Sequence, residues 1–198
     1  MKRKILVSAI IAACLSISIV ASGTLAYFTA SETAHNIITT DAVNIEIEEW
    51  QETEEGLKPY PEDPVYIMPG VTVSKIVDVR NLEAKAFIRA KYQIIVKDPD
   101  GEVMDISPET LDSIITIDID TENWLTKDGD NTWLYHASPV DTGKTTEAIF
   151  TKVVFDGPNM TNEYQNCTVE ILVDAQAVQF ANNGTDAVKA AGWPAENN

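Results

Sequence analysis

Two histidines, His35 and His136, and two cysteines, Cys14 and Cys167, are all that this 198-residue chain offers for soft-metal or nucleophilic chemistry. A zinc peptidase motif needs two histidines one helical turn apart with a glutamate beside the first, and no His-Glu-x-x-His occurs. There is no glycine-rich phosphate loop and no Gly-x-Ser-x-Gly elbow. His35 lies in a polar stretch, and His136 follows Tyr135 in a segment that alternates like a strand, where a lone histidine reads as structural or exposed. Cys167 has no basic residue nearby to lower its pKa and reads as a small buried side chain. The chain is therefore expected not to be an enzyme, and no cofactor is called for.

Calcium is the one cation whose ligand chemistry the sequence resembles. Asp118-Ile119-Asp120-Thr121-Glu122 places acids at alternate positions, as an EF-hand loop does at its start. Counted from Asp118, however, position six is Asn123 rather than Gly and position twelve is Gly129 rather than Glu, so that loop is excluded. Adventitious or interfacial calcium at Asp118, Asp120, Asp128 or Asp130 is the reading left, against a solvated strand face. Asn159, Asn166 and Asn183 begin Asn-x-Thr glycosylation triplets, which matter only in a glycosylating host. Trp50, Trp124, Trp133 and Trp193 could stack on sugars. The competing reading has Trp124 and Trp133 flanking one hairpin and packing on the core.

The elements that must carry these residues are strands. Val43, Ile45 and Ile47 alternate with Asn44, Glu46 and Glu48, and residues 86–96 alternate over a longer run. There Ala86, Ile88, Ala90, Tyr92, Ile94 and Val96 share a face opposite Arg89, Lys91 and Gln93, the pattern of a half-buried strand. Asp98-Pro99-Asp100-Gly101 then supplies turn chemistry. Further strands are expected at 71–80, 114–119, 132–136, 146–155 and 167–180, the last with Val169, Ile171, Val173, Ala175 and Ala177 inward. Asp128 to Asn131 reads as a hairpin loop, and 108–113 and 186–191 as short helices. The Pro-rich, acidic stretch 50–69 is expected to be a surface excursion without regular strand. About seven antiparallel strands in one domain predict an all-β fold, an antiparallel β-sandwich of jelly-roll or immunoglobulin-like topology.

At the N-terminus, Lys2, Arg3 and Lys4 precede a nearly unbroken apolar run from Ile5 to Ala26. This is the order of a secretory signal, and the small residues of Thr24-Leu25-Ala26 favour cleavage after Ala26, with Tyr27 as the alternative. An uncut membrane anchor is the competing reading, since the run is long enough to span a bilayer. Ile11-Ala12-Ala13-Cys14 resembles a lipobox, but the residues after Cys14 stay apolar where a lipidated protein continues into a polar tether. Residues 1–26 are thus read as a signal peptide, 27–36 as an N-terminal arm and 37–198 as the sandwich domain. Processing leaves 11 Lys and Arg against 31 Asp and Glu, a formal charge of −20 in place of −17. Such a charge argues against nucleic-acid partners and anionic membranes, keeps the protein soluble, and makes self-association sensitive to salt. The expected address is secreted or cell-surface, with membrane contact only before cleavage. One cysteine remains, so no internal disulfide supports the domain.

Three blocks in a fixed order resemble the TasA/camelysin proteins of Gram-positive bacteria. The first is GTLAYFTASETAHNIITTDAVNIEIEE, in which Gly23, Thr24, Ala26, Tyr27 and Phe28 are followed by Asn36 and then by Val43, Ile45 and Ile47. The second is IMPGVTVSKIVDVRNLEAKAFIRAKYQI. The third is NWLTKDGDNTWLYHASPVDTGKTTEAIF, followed by VEILVDAQAVQFAN and a closing GWP. The chain departs from the pattern at Thr29-Ala30 and Thr40-Asp41. The resemblance implies a jelly-roll or related sandwich, export by a SipW-type signal peptidase, and self-association into filaments of an extracellular biofilm matrix. It implies that cleavage frees an arm, anchored by Tyr27 and Phe28 and running to Asn36, that pairs as a donated strand with the next subunit. A monomeric binding module for cell-wall glycan or a host surface is the alternative. A metal-dependent protease, as some camelysin-like proteins are described, is the third reading.

Overall fold

The computed structural model describes residues 43–61 and 69–194, which belong to one compact unit. Among these residues nine strands form two antiparallel sheets. They are β1 (Ile45–Thr53), β2 (Gly56–Pro59), β3 (Thr72–Asn81), β4 (Ala86–Lys97), β5 (Ile115–Ile117), β6 (Trp124–Lys127), β7 (Asp130–His136), β8 (Phe150–Phe155) and β9 (Thr168–Gln179). One sheet has the order β2-β1-β3-β8-β5 and the other β6-β7-β4-β9. A short helix, α1 (Pro108–Ile114), precedes β5. Ser107 caps it by accepting from the Thr110 N–H, and Pro108 occupies the first turn, where its missing N–H costs nothing. The all-β sandwich is as the alternation of the strands implied.

The inner faces make one core. Val77, Val79, Ile88, Ala90, Val153, Phe155, Val173, Ala175 and Ala177 meet there, with Trp124, Ile149 and Phe150 filling the ends. Val169 and Ile171 line its partly buried margin, so the whole inward row of β9 is as the sequence placed it. Asn81 ends β3 and is wholly buried. Its Nδ2 donates to the carbonyls of Ala84 and Val140, both at 2.9 Å, and its Oδ1 accepts from the Glu83 N–H at 3.3 Å. One amide thereby shapes the β3–β4 turn and fixes the β7–β8 connection to it.

Several expectations need correction. Residues 50–59 are not a loop: β1 continues to Thr53 and turns into β2, with Trp50 opposite Pro59 and Glu52 opposite Leu57. Gly56 takes φ +107°, and Thr53 Oγ1 donates to its carbonyl at 2.7 Å, so the acidic run is a hairpin. Pro59 is tolerated because β2 is an edge strand. Residues 62–68 lie outside the described residues. Ile114 ends α1 rather than starting β5. Residues 144–149 bond irregularly to β3 before β8 begins at Phe150. Asp130 and Asn131 already belong to β7, leaving only Asp128-Gly129 as the turn. The expected helix at 186–191 is a single 3-10 turn over Ala187–Lys189.

The outward face of β4 also differs from the half-buried strand expected. Phe87 and Arg89 are as buried as their inward neighbours, because the chain after β9 folds back over them. Ala187, Ala190, Phe180 and Trp193 cover Phe87, Trp133, Tyr135 and Val178 in a second, smaller core.

Replacing Asn81 by Ala leaves the Val140 carbonyl and the Glu83 N–H without this partner inside the fold. The Asn81→Ala variant is expected to lose about 2–4 kcal/mol of unfolding free energy in urea titrations.

Candidate functional site

The sequence places the cleavage positions Ala26 and Tyr27 and the assembly arm Tyr27, Phe28 and Asn36 ahead of the described residues. What the structure defines is where the chain joins the sandwich and which sheet edges it leaves for pairing. Val43 is buried, and the Asn44 carbonyl accepts from the Leu82 N–H at 2.8 Å. β1 then pairs with β3 from Ile45 opposite Asn81 to Trp50 opposite Ile76.

The four edge strands are unequal. β2 has 4 residues, β5 has 3 and β6 has 4. β9 has 12, and it pairs with β4 over its whole length, from Thr168 opposite Lys97 to Gln179 opposite Ala86. Among the described residues no strand pairs with its other side. Its residues are half-buried or buried up to Val178, and the backbone groups on its outer side have no partner strand among the described residues. A long edge of this kind is a template for an added strand, and soluble proteins usually shorten, cover or charge such edges.

The calcium candidates are put to local use. Asp118 accepts from the Thr151 N–H at 2.8 Å, the Thr151 hydroxyl at 2.6 Å and the Lys152 N–H at 2.6 Å. Partial burial pushes its carboxyl up, but these bonds together outweigh it and hold the group below its ordinary range. Asp120 accepts from Asn123 Nδ2 at 2.8 Å and from the backbone N–H groups of Glu122 and Asn123. Asp130 accepts from the Thr132 N–H, and Asp128 is exposed in the β6–β7 turn. Among the described residues no three His, Cys, Asp or Glu side chains come together to hold a metal ion.

The same holds for zinc. His136 is 4% exposed, its Nδ1 lies 2.6 Å from the Ser138 carbonyl oxygen, and its Nε2 lies 2.7 Å from Glu147 Oε2. Both ring nitrogens are engaged within the fold, so the described donors do not fit a catalytic zinc. His35 lies outside the described residues. Three of the four tryptophans are committed as well. Trp124 and Trp133 are almost wholly buried, and the indole N–H groups of Trp124 and Trp193 donate to the carbonyls of Glu147 and Ala187.

Two features were not foreseen. Arg89 is 5% exposed, its guanidinium lying 4.1 Å from the ring centre of Trp133 and 4.8 Å from that of Trp193. Its hydrogen-bond acceptors are neutral: Gln176 Oε1 at 2.6 and 2.9 Å, the Tyr135 hydroxyl at 3.3 Å and the Pro194 carbonyl at 3.0 Å. Cation–π attraction and neutral dipoles hold a cation that is normally paired when buried. The signal was the spacing of Trp133 and Tyr135 on one strand face, with Ala187, Ala190 and Trp193 recurring at threes.

The other feature is Asp78, directly opposite Glu48 on the neighbouring strand. Its Oδ1 is buried without a hydrogen-bond partner. Burial and then the Glu48 charge push its carboxyl up to about 6. The folded chain thus keeps a proton that the unfolded chain releases near the ordinary carboxylate value, so stability falls as pH rises from about 4 to about 6. Above that window Asp78→Asn is expected to be more stable than the parent by about 1–2 kcal/mol, discounted for partial solvent access. Thermal melts should show the two converging near pH 4.

Residues 1–59 match the family model of the camelysin metallo-endopeptidases, a match that ends with β2. No curated protein and no solved structure matches the chain. The matched stretch includes the first resemblance block and the strand that follows it, and over those residues the chain is similar to the camelysin family.

Proposed function

We propose that this protein is a secreted structural subunit of an extracellular matrix or surface fibre. Its N-terminal arm, freed by a signal peptidase, adds as a strand to the sandwich of the next copy. The observation that carries this reading is the β9 edge, long, with Glu170 and Asp174 as its two charged residues and without a second partner strand among the described residues. An extended segment laid along it would complete a main-chain ladder, with alternate side chains fitting the margins of the two faces. The arm leaves from one copy and docks on another, so the contact is head-to-tail and does not close on itself. The camelysin match over residues 1–59 supports the family half of the reading, because it spans the arm and the strand into which it leads.

The peptidase named in that family description is not the role proposed. His136 is saturated, and the described residues bring no three ligating side chains together. Purified protein is accordingly expected to cleave casein no faster with zinc than with a chelator.

The formal charge of −20 after processing opposes assembly until it is screened, so association should rise with salt. Protein beginning at Tyr27, without a tag at that end, is expected to form filaments in negative-stain electron microscopy. Protein beginning at Asn36 should stay monodisperse, and a peptide of residues 27–36 should inhibit the longer form. Monodisperse particles from the longer form across salt and calcium would overturn the fibre reading in favour of a monomeric binding module.

A further inference from the structure

Trp50 is the tryptophan that belongs to neither core. It lies half-buried on the outer face of the five-stranded sheet, with Pro59 of β2 opposite it on one side and Ile76 of β3 on the other. Val77 and Val79, the alternate residues of β3, are wholly buried inward, which sets Ile76 and Asp78 on the outer face. Leu57 of β2 and Val154 of β8, both exposed, carry the apolar surface towards its flanks. Along β1 the residues that share this face with Trp50 are Glu48 and Glu52, about 7 Å to either side. Glu46 and Asp78 add to these acids. The cations on the face are Arg80, 3.5 Å from Glu48, and Lys152 of β8.

At Trp50 the main chain of β1 is paired with β2 on one side and β3 on the other, so an occupant of this face is recognised by side chains alone. An indole with carboxylates before and after it suits a ligand that has apolar C–H faces, hydroxyls and positive charge, and it repels anionic chains. The geometry points to this face as a docking surface for a cationic amino-sugar polymer, one sugar ring stacking on Trp50 with ammonium groups reaching Glu48 and Glu52. An ammonium beside the indole adds cation–π attraction. A basic peptide carries the same charge, but an extended peptide gains most from a free strand edge, which is absent around Trp50. The β9 edge lies on the other sheet, so sugar binding and strand addition use separate surfaces.

The test titrates the protein beginning at Tyr27 with a glucosamine oligomer, its fully N-acetylated counterpart and an oligolysine of equal charge, by calorimetry in mildly acidic buffer of low salt. The glucosamine oligomer is expected to bind tighter than the other two. Trp50→Ala should weaken it about tenfold, the size of a lost stacking and cation–π contact. Glu52→Gln, which removes an exposed charge and no bond within the fold, should weaken it about threefold, and it decides the matter should Trp50→Ala fail to fold. Absence of binding by the parent, or binding unchanged in these variants, overturns the inference and leaves at most a general attraction between opposite charges. Oligolysine binding as tightly, with the same loss in Trp50→Ala, overturns it in favour of a basic peptide. The titration reads the same for dispersed protein and for filaments, so the fibre reading stands or falls separately.

Discussion

The ladder between β4 and β9 is the constraint on which the rest of the molecule depends. Twelve residues of each strand face one another without a register shift, and both sides of that ribbon carry a core. Inward, Ile88, Ala90, Val173, Ala175 and Ala177 form the centre of the sandwich. Outward, Phe87 and Val178 floor the smaller cluster that the C-terminal segment closes. A slip of one residue would exchange the two rows and turn Arg89 into the sandwich, so the register is fixed from both faces. The same ladder leaves β9 with its second side unmatched by any described strand, which is the origin of the proposed docking edge.

Buried polar groups take the places that packing alone would leave loosely defined. Asn81, His136 and Arg89 each make three or more polar or ring contacts, at least one of them with another segment of the chain. Each fixes a connection rather than a strand: the β3–β4 turn, the β7–β8 crossing and the C-terminal return. With one cysteine in the described region and no disulfide, these contacts hold loops that small secreted domains often staple covalently. Asp78 is the exception, a carboxyl kept partly dry opposite another acid, and it marks a place where the sheet is less stable than it could be.

Strands with a clean period of two were legible from sequence, as at 86–96 and along the inward row of β9, because burial on one face writes itself into alternate residues. The β1–β2 hairpin was not. Its prolines and acids mimic a loop, and only the edge position of β2, a property of the assembled sheet, makes Pro59 compatible with a strand. The burial of Arg89 was missed for a related reason. Its neighbours across the sheet predict an outward side chain, which is correct, but what covers that side is nearly a hundred residues further along the chain. Asp118 and Asp120 alternate in sequence, and spacing alone does not display that each accepts from nearby N–H groups. His136 was read as structural or exposed; it is structural, through an acceptor pair that sequence does not display.

The central claim is that β9 accepts a strand from another copy, and hydrogen exchange on the protein beginning at Tyr27 tests it directly. Amides of Thr168–Gln179 that point away from β4 should exchange freely in the dispersed protein and become protected in filaments, alternating along the strand with those already bonded to β4. Protection gained instead along β2, β5 or β6, with β9 unchanged, would contradict the account.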